Sequence, residues 1–295
     1  MMARDEPAAQ ANGAVQRTAH ARPVLLACAH GTGNSEGQAA VAQLVEEVRA
    51  ELESVRVIDT WVDVQEPSLT DRTRELASEP AVIVPLLLSA GYHVYVDMAR
   101  AIKGNPEHRV AAALGPDPRL SVIMARRLTE ALREQGAAPI TENDTVLMAA
   151  AGSSEPDAVR DCRVTADHLA HELGVPVQVA FLSAAEPTVS DVVAEARESA
   201  GNLASNRASG LENGQERGSE SGSGSCQVGG SATGRVSTTG RVLVATYLLA
   251  PGFFHNKTLK AGADITAAPL LLPDAPTPLE LTELVIEHYE QAVHG

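Results

Sequence analysis

The sequence predicts an α/β protein of two duplicated lobes, each a parallel sheet flanked by helices. Three observations carry this. Short apolar runs alternate with amphipathic stretches: PVLLACA (23–29) is followed by Val41, Leu44, Val45, Val48 and Leu52 at helical spacing. Strand–helix alternation of this kind implies a parallel sheet covered on both faces. The whole pattern then recurs. TVLMAAAGSSEPDA (145–158) echoes PVLLACAHGTGNSEG, and FLSAAEPTVSDVVAEA (181–196) echoes WVDVQEPSLTDRTREL (61–76). Further on, RVLVATYLLAPGFFHNKTL (241–259) echoes AVIVPLLLSAGYHVYVDM (81–98), and ADITAAPLLLPDAP (263–276) echoes EHRVAAALGPDPRL (107–120).

Taken in order, residues 1–22 are charged and carry no apolar run, and read as a disordered tail rather than a secretory signal. Residues 23–29 form the first strand. A Gly-rich turn follows, and Ser35 with Gln38 makes a candidate capping box for the first helix. VRVIDTWVDV (55–64) is the second strand, and Ser68 with Asp71 opens a helix through Leu76. AVIVPLLL (81–88) and RVAAAL (109–114) are the third and fourth strands, with a helix over about 120–135. The first lobe is thus expected at 23–138 and the second at 139–295. Within the second, residues 201–240 are Gly/Ser-rich and nearly free of apolar side chains, and read as a disordered insertion.

Composition narrows the function. Hydrophobic residues make up 44% and charged residues 21%, as in ordinary globular proteins. The net charge is −15, with no basic stripe, and aromatics are only 3%. Nucleic-acid binding is therefore not expected. No apolar stretch is long enough to cross a membrane. Cys28, Cys162 and Cys226 are scattered and form no CxxC, which fits reduced thiols in the cytoplasm.

Ligands of an open parallel sheet bind at the carboxyl ends of its strands. His30 follows the first strand, Glu66 the second, and His93 lies beyond the third. Two imidazoles and a carboxylate suit a divalent first-row metal and can take protons near neutral pH. The second lobe is an internal control. There Ala151 stands for His30 and Phe254 for His93, with His255 displaced by one; only Glu66 keeps its counterpart, Glu186. The asymmetry favours a site in the first lobe and a degenerate second lobe. Asp97 is a candidate acceptor for His93 or a helix cap. His20, His108, His168, His171, His288 and His294 read as surface residues.

The runs LLACAHGTGNSEG, QEPSL and PLLLSAGYHVYVDM resemble the class II tetrapyrrole chelatases, specifically the two-lobe, long form of the sirohydrochlorin chelatases of the CbiX/SirB type. His30, Gly31, Glu66, Pro67, Pro85, Leu86, Gly91, His93 and Asp97 stand where that pattern has them. Thr32-Gly33 and Met98-Ala99 depart from its usual Ser-Arg and Ile-Pro, leaving the three candidate ligands untouched. The resemblance implies flavodoxin-like lobes around a cleft. It implies insertion of Fe2+ or Co2+ into sirohydrochlorin with loss of two protons, His30 and His93 binding the metal and Glu66 assisting. No organic cofactor is implied, and the second lobe would replace the partner of a short-form dimer, giving a monomer. The macrocycle's carboxylates would need basic groups. Arg72, Arg74, Arg100 and Lys103 are candidates, though each also reads as a solvated helix charge.

Two other classes compete. GTGNSEG (31–37) resembles a flavodoxin phosphate loop, with Tyr92 and Tyr95 placed to stack on FMN. That reading leaves His30, Glu66 and the duplication unexplained. A metal or tetrapyrrole carrier would use the same ligands without turnover.

Overall fold

The computed structural model describes residues 22–91, 93–199 and 240–295, with residues 93–95 described by their backbone alone. The expected insertion up to residue 239, almost all of the expected tail, Cys226, His20 and Tyr92 lie outside the described residues. Arg22, assigned to the tail, is held: its guanidinium pairs with Glu290 and lies 5.2 Å from the centre of the Tyr289 ring.

The first sheet contains β1 (Val24–Ala29), β2 (Val57–Trp61), β3 (Ala81–Pro85) and β4 (His108–Val110), all parallel, in the order β2-β1-β3-β4. The second contains β5 (Thr145–Ala150), β6 (Val177–Phe181), β7 (Val242–Tyr247) and β8 (Ile265–Thr266), in the matching order β6-β5-β7-β8. The duplication read from sequence is therefore structural. It extends to detail: Trp61 bridges Ser68 as Phe181 bridges Thr188, and both Glu66-Pro67 and Glu186-Pro187 are cis.

Helices α1 (Ser35–Glu51), α2 (Leu69–Glu75) and α3 (Ala99–Ala101, continuing a π-helix over His93–Met98) belong to the first half of the chain. They are followed by α4 (Pro118–Glu134), α5 (Pro156–Leu173), α6 (189–199), α7 (Phe253–Leu259) and α8 (Leu279–His294). The apolar face expected of α1 is buried, at Val41, Leu44, Val45 and Val48. Its cap differs from expectation. Asn34, not Ser35, is the N-cap: its side chain accepts from the Gly37 N–H at 2.8 Å, while Gln38 Nε2 turns back to donate to the Thr32 carbonyl. The Ser68 cap of α2 is as expected, accepting from the Asp71 N–H at 3.2 Å.

Strand residues alternate between two cores. Leu25, Ala27 and Ala29 of β1 face one cluster, and Val24, Leu26 and Cys28 face another. In β5, Val146, Met148 and Ala150 join the same first cluster, so one core runs through both lobes. The reason is an exchange of helices. α4 packs on β7, β8 and α5 of the second lobe, and α8 packs on β3 and α1 of the first. Arg127 of α4 donates to the Leu270 carbonyl at 3.1 Å, and Tyr289 of α8 to the Pro23 carbonyl at 2.6 Å. A division near residue 138 separates the sheets, but each sheet is covered by the last helix of the other half.

Candidate active site

β1 lies between β2 and β3, so the loops leaving the carboxyl ends of these three strands adjoin. His30 leaves β1 directly and is exposed. The β1–β2 ladder continues past the strands: Val62 N–H donates to the Ala29 carbonyl and Asp63 N–H to the His30 carbonyl, both at 2.9 Å. This ties the His30 turn to the loop that carries Glu66. Gly31 permits the close approach. Its φ is 97°, and a Cβ there would lie 2.0 Å from the Asp63 carbonyl oxygen. The His30 ring Nδ1 lies 3.3 Å from the Gly31 carbonyl oxygen.

Glu66 is exposed, and its Oε2 accepts from the Ser68 N–H at 2.8 Å, which fixes the carboxylate at the mouth of α2. β3 is joined to the same edge, since Leu86 N–H donates to the Cys28 carbonyl at 2.7 Å. His93 begins the π-helix beyond β3, and only its backbone is described. The topology thus brings all three candidate ligands to one sheet edge. Among the described residues, no group of three His, Cys, Asp or Glu side chains is placed to hold a metal ion. Asp97 sits inside the π-helix, so it does not cap a helix; Arg100 approaches it at 3.6 Å.

The second lobe repeats the scaffold without the histidine. Leu182 N–H and Ser183 N–H donate to the Ala150 and Ala151 carbonyls at 2.9 and 3.0 Å, and Gly152, at φ 93°, repeats Gly31.

Several residues at this edge were not singled out in the sequence. Gln65 Oε1 accepts from the Thr32 N–H at 2.9 Å, and Asn34 caps α1. Neither side chain has a spacing that announces its bond. From the second lobe, the 251–255 segment abuts the first. A Cβ on Gly37 would lie 2.2 Å from the Pro251 carbonyl oxygen, and one on Gly252 would lie 3.3 Å from Thr32 Oγ1. His255 in α7 is half-buried. Burial holds its imidazole below the usual histidine value, with Glu36 of α1 opposing, and its Nε2 has no hydrogen-bond partner among the described residues. A depression of about 670 Å³ is lined by Ala90, Ala99, Ile102, Ala113, Gly115 and Asp161, and by none of His30, Glu66 or His255.

Contacts bear on three other expectations. Arg72, Arg74 and Arg100 approach local carboxylates, those of Glu75 at 2.7 Å, Asp71 at 2.6 Å and Asp97 at 3.6 Å. Arg74 and Arg100 do so as solvated helix charges, whereas Arg72 is partly buried and its Nε has no hydrogen-bond partner among the described residues. His108 is not a surface residue. It is 4% exposed, its Nε2 lying 3.1 Å from the Leu76 and Glu79 carbonyl oxygens, where it joins the start of β4 to the end of α2. The phosphate-loop alternative for 31–37 meets occupied donors. The N–H groups of Thr32, Asn34 and Gly37 bond Gln65 Oε1, Thr32 Oγ1 and Asn34 Oδ1. Cys28 and Cys162 are buried free thiols, pushed up to about 12 by burial, which makes them inert apolar filling.

Comparison with known proteins agrees with this architecture. A curated sirohydrochlorin cobaltochelatase from Sulfolobus acidocaldarius is 27% identical over 118 residues, 38% of this chain and 94% of that relative. Among solved structures, SirB from Bacillus subtilis with Fe3+ superposes with a TM-score of 0.62 at 17% identity, covering 92% of this chain and 96% of SirB. A CbiX described as the terminal enzyme for biosynthesis of siroheme in denitrifying bacteria gives 0.55 at 17% identity, covering 91% of this chain and 99% of that one. The CbiX family model matches residues 24–131 and 145–203, more than half of the sequence, and the chain belongs to the CbiX family.

Proposed function

We propose that this protein is a sirohydrochlorin chelatase that inserts a divalent metal, Fe2+ or Co2+, into the metal-free macrocycle and releases two protons. The observation that carries the reading is the asymmetry of two otherwise equivalent lobes. The turn after β1 and the turn after β5 share their glycine and their backbone bonds, yet only the first presents an exposed histidine. A histidine needed for folding would be needed in both. The relatives' names support the metals: one is a cobaltochelatase, and SirB has been solved with Fe3+ and with cobalt.

The metal is substrate here, and no organic cofactor takes part. As the ion enters, two pyrrole N–H groups must lose their protons, so a base is needed beside the ring. His30, Glu66 and His93 supply imidazole and carboxylate groups that bind the incoming ion and accept protons. An incomplete ligand set suits this task, because the ion must leave for the macrocycle, whereas a closed structural cage would retain it. Imidazole and carboxylate accept both Fe2+ and Co2+, so metal supply decides between sirohaem and cobalamin synthesis. The crossed helices α4 and α8 tie both lobes into one unit, which acts as a cytoplasmic monomer, the second lobe standing where a short-form partner would.

The test is an anaerobic absorbance assay with sirohydrochlorin and either ion, against the rate without protein. Multiple turnovers are expected. A single stoichiometric binding event without turnover would make the protein a carrier, and a yellow, FMN-loaded protein would revive the phosphate-loop reading.

A further inference from the structure

Large apolar side chains left exposed among the described residues are Val64, Val122, Phe253, Leu259 and Leu279. Two of these flank the His30 turn, one from each lobe. Val64 is 60% exposed, on the loop between β2 and Glu66. It lies against the residue after His30: a Cβ on Gly31 would be 3.4 Å from Val64 Cβ. Phe253 is 76% exposed and opens α7, directly after Gly252, which abuts Thr32. Residues 31 and 32 are therefore bracketed by exposed apolar groups from the two halves of the chain.

Neither group is explained by packing. The Val64 backbone has φ 65°, a left-handed conformation that a β-branched side chain adopts at a cost. The duplicated fold explains the backbone, because Ala184 takes φ 54° at the same place in the second lobe. It does not explain the branched side chain, which only the first lobe carries. Phe253 is held rather than loose. Its ring meets Phe254 edge-on, with centroids 5.4 Å apart and planes at 67°, and Phe254 packs on the second lobe's core. Exposed apolar groups held in fixed positions beside a candidate catalytic histidine mark a surface for an apolar ligand face.

We propose that Val64 and Phe253 form an apolar clamp that seats the flat conjugated face of the tetrapyrrole over the His30 turn. The inference rests on the chelatase reading and adds to it the residues that position the ring. The polar rim of the macrocycle would stay in water while its π-face is covered from both lobes. Such contacts hold substrate and transition state alike, so they act on ring affinity more than on the insertion step.

The test measures anaerobic binding of metal-free sirohydrochlorin, by quenching of its own fluorescence, to the full chain and to Phe253→Ser, Val64→Asn and the double variant. Asn tolerates the left-handed backbone, so Val64→Asn keeps the loop. Leu259→Ser, an exposed apolar site elsewhere on α7, serves as the control. Each clamp variant is expected to weaken binding ~10-fold, and the double variant more. KM for sirohydrochlorin should rise accordingly, with kcat and KM for the metal within about 3-fold of the original. Thermal midpoints should be unchanged. Clamp variants that bind the ring as tightly as the unaltered chain, while that chain binds and turns it over, would overturn the clamp and leave the chelatase reading standing. No ring binding by the unaltered chain would overturn both.

Discussion

The two glycine turns offer a matched pair of perturbations. A Cβ on Gly31 would sit 2.0 Å from the Asp63 carbonyl oxygen, and one on Gly152 would sit 1.8 Å from the Ser183 carbonyl oxygen. Nonbonded carbon and oxygen do not approach so closely, so the opposing loop must move by about 1 Å or more in either Ala variant. At Gly31 that motion strains the Asp63 N–H bond to the His30 carbonyl; at Gly152 it strains the Ser183 N–H bond to Ala151. Losing such a bond costs about 0.5–1.5 kcal/mol, and Ala at positive φ a further ~1–2 kcal/mol. Each variant should then lose about 1.5–3.5 kcal/mol, seen as a thermal midpoint lower by roughly 3–14 °C. Stability is expected to fall alike, but function is not. Rates of metal insertion per folded molecule should drop at least ~10-fold in Gly31→Ala, where His30 and the Glu66 loop are displaced, and stay within about 2-fold in Gly152→Ala. Equal loss of rate in both variants would refute the division into an active first lobe and a supporting second lobe.

Other expectations are more local. The side chain of Asp144 is 4% exposed. Burial would raise its carboxyl, but hydrogen bonds from Arg241 and Thr141 outweigh this and hold it down to about 2, from the usual 3.8. That depression is worth ~2 kcal/mol above pH 4, and is lost as pH falls from 4 through 2. Arg241→Met should therefore destabilise by about 2–4 kcal/mol at pH 7, with a gap to the unaltered chain that narrows in acid; a gap independent of pH would contradict the pairing. Tyr247 bridges the lobes, its hydroxyl donating to the Leu88 carbonyl at 2.6 Å. Tyr247→Phe should cost about 1–2 kcal/mol by thermal or denaturant unfolding, and no change would show that bond to be immaterial. His255 is held below its ordinary value by burial, so the unfolded chain binds the proton more readily than the folded one. The chain should therefore lose stability as pH falls through about 6.5 and below, and His255→Phe should flatten that part of the pH–stability curve.

Much of this molecule is legible in its sequence because parallel strands and amphipathic helices declare themselves locally. The buried runs at 24–29 and 145–150 and the α1 face at Val41, Leu44, Val45 and Val48 need no tertiary information. The candidate site is legible for a related reason: in a parallel sheet the carboxyl ends share one edge, so the turns that carry His30, Glu66 and His93 lie on one side of the first sheet. What stayed hidden depends on partners distant in the chain. The amphipathic face of α4 announces that it is buried, but not that it covers β7 and β8. His108 reads as polar and exposed until the Leu76 and Glu79 carbonyls are seen to surround it. Ser35 and Asn34 are both good caps by type, and the one whose oxygen reaches the Gly37 N–H is chosen by geometry.

The most direct test of the account is metal insertion itself. Sirohydrochlorin and Co2+ or Fe2+ would be mixed anaerobically with the unaltered chain, His30→Ala and His93→Ala, with protons released and metal inserted counted together. Many turnovers by the unaltered chain, two protons per metal, and loss of most turnover in both folded variants are expected. Full activity in both variants, or no rate above the protein-free background with either ion, would contradict the account.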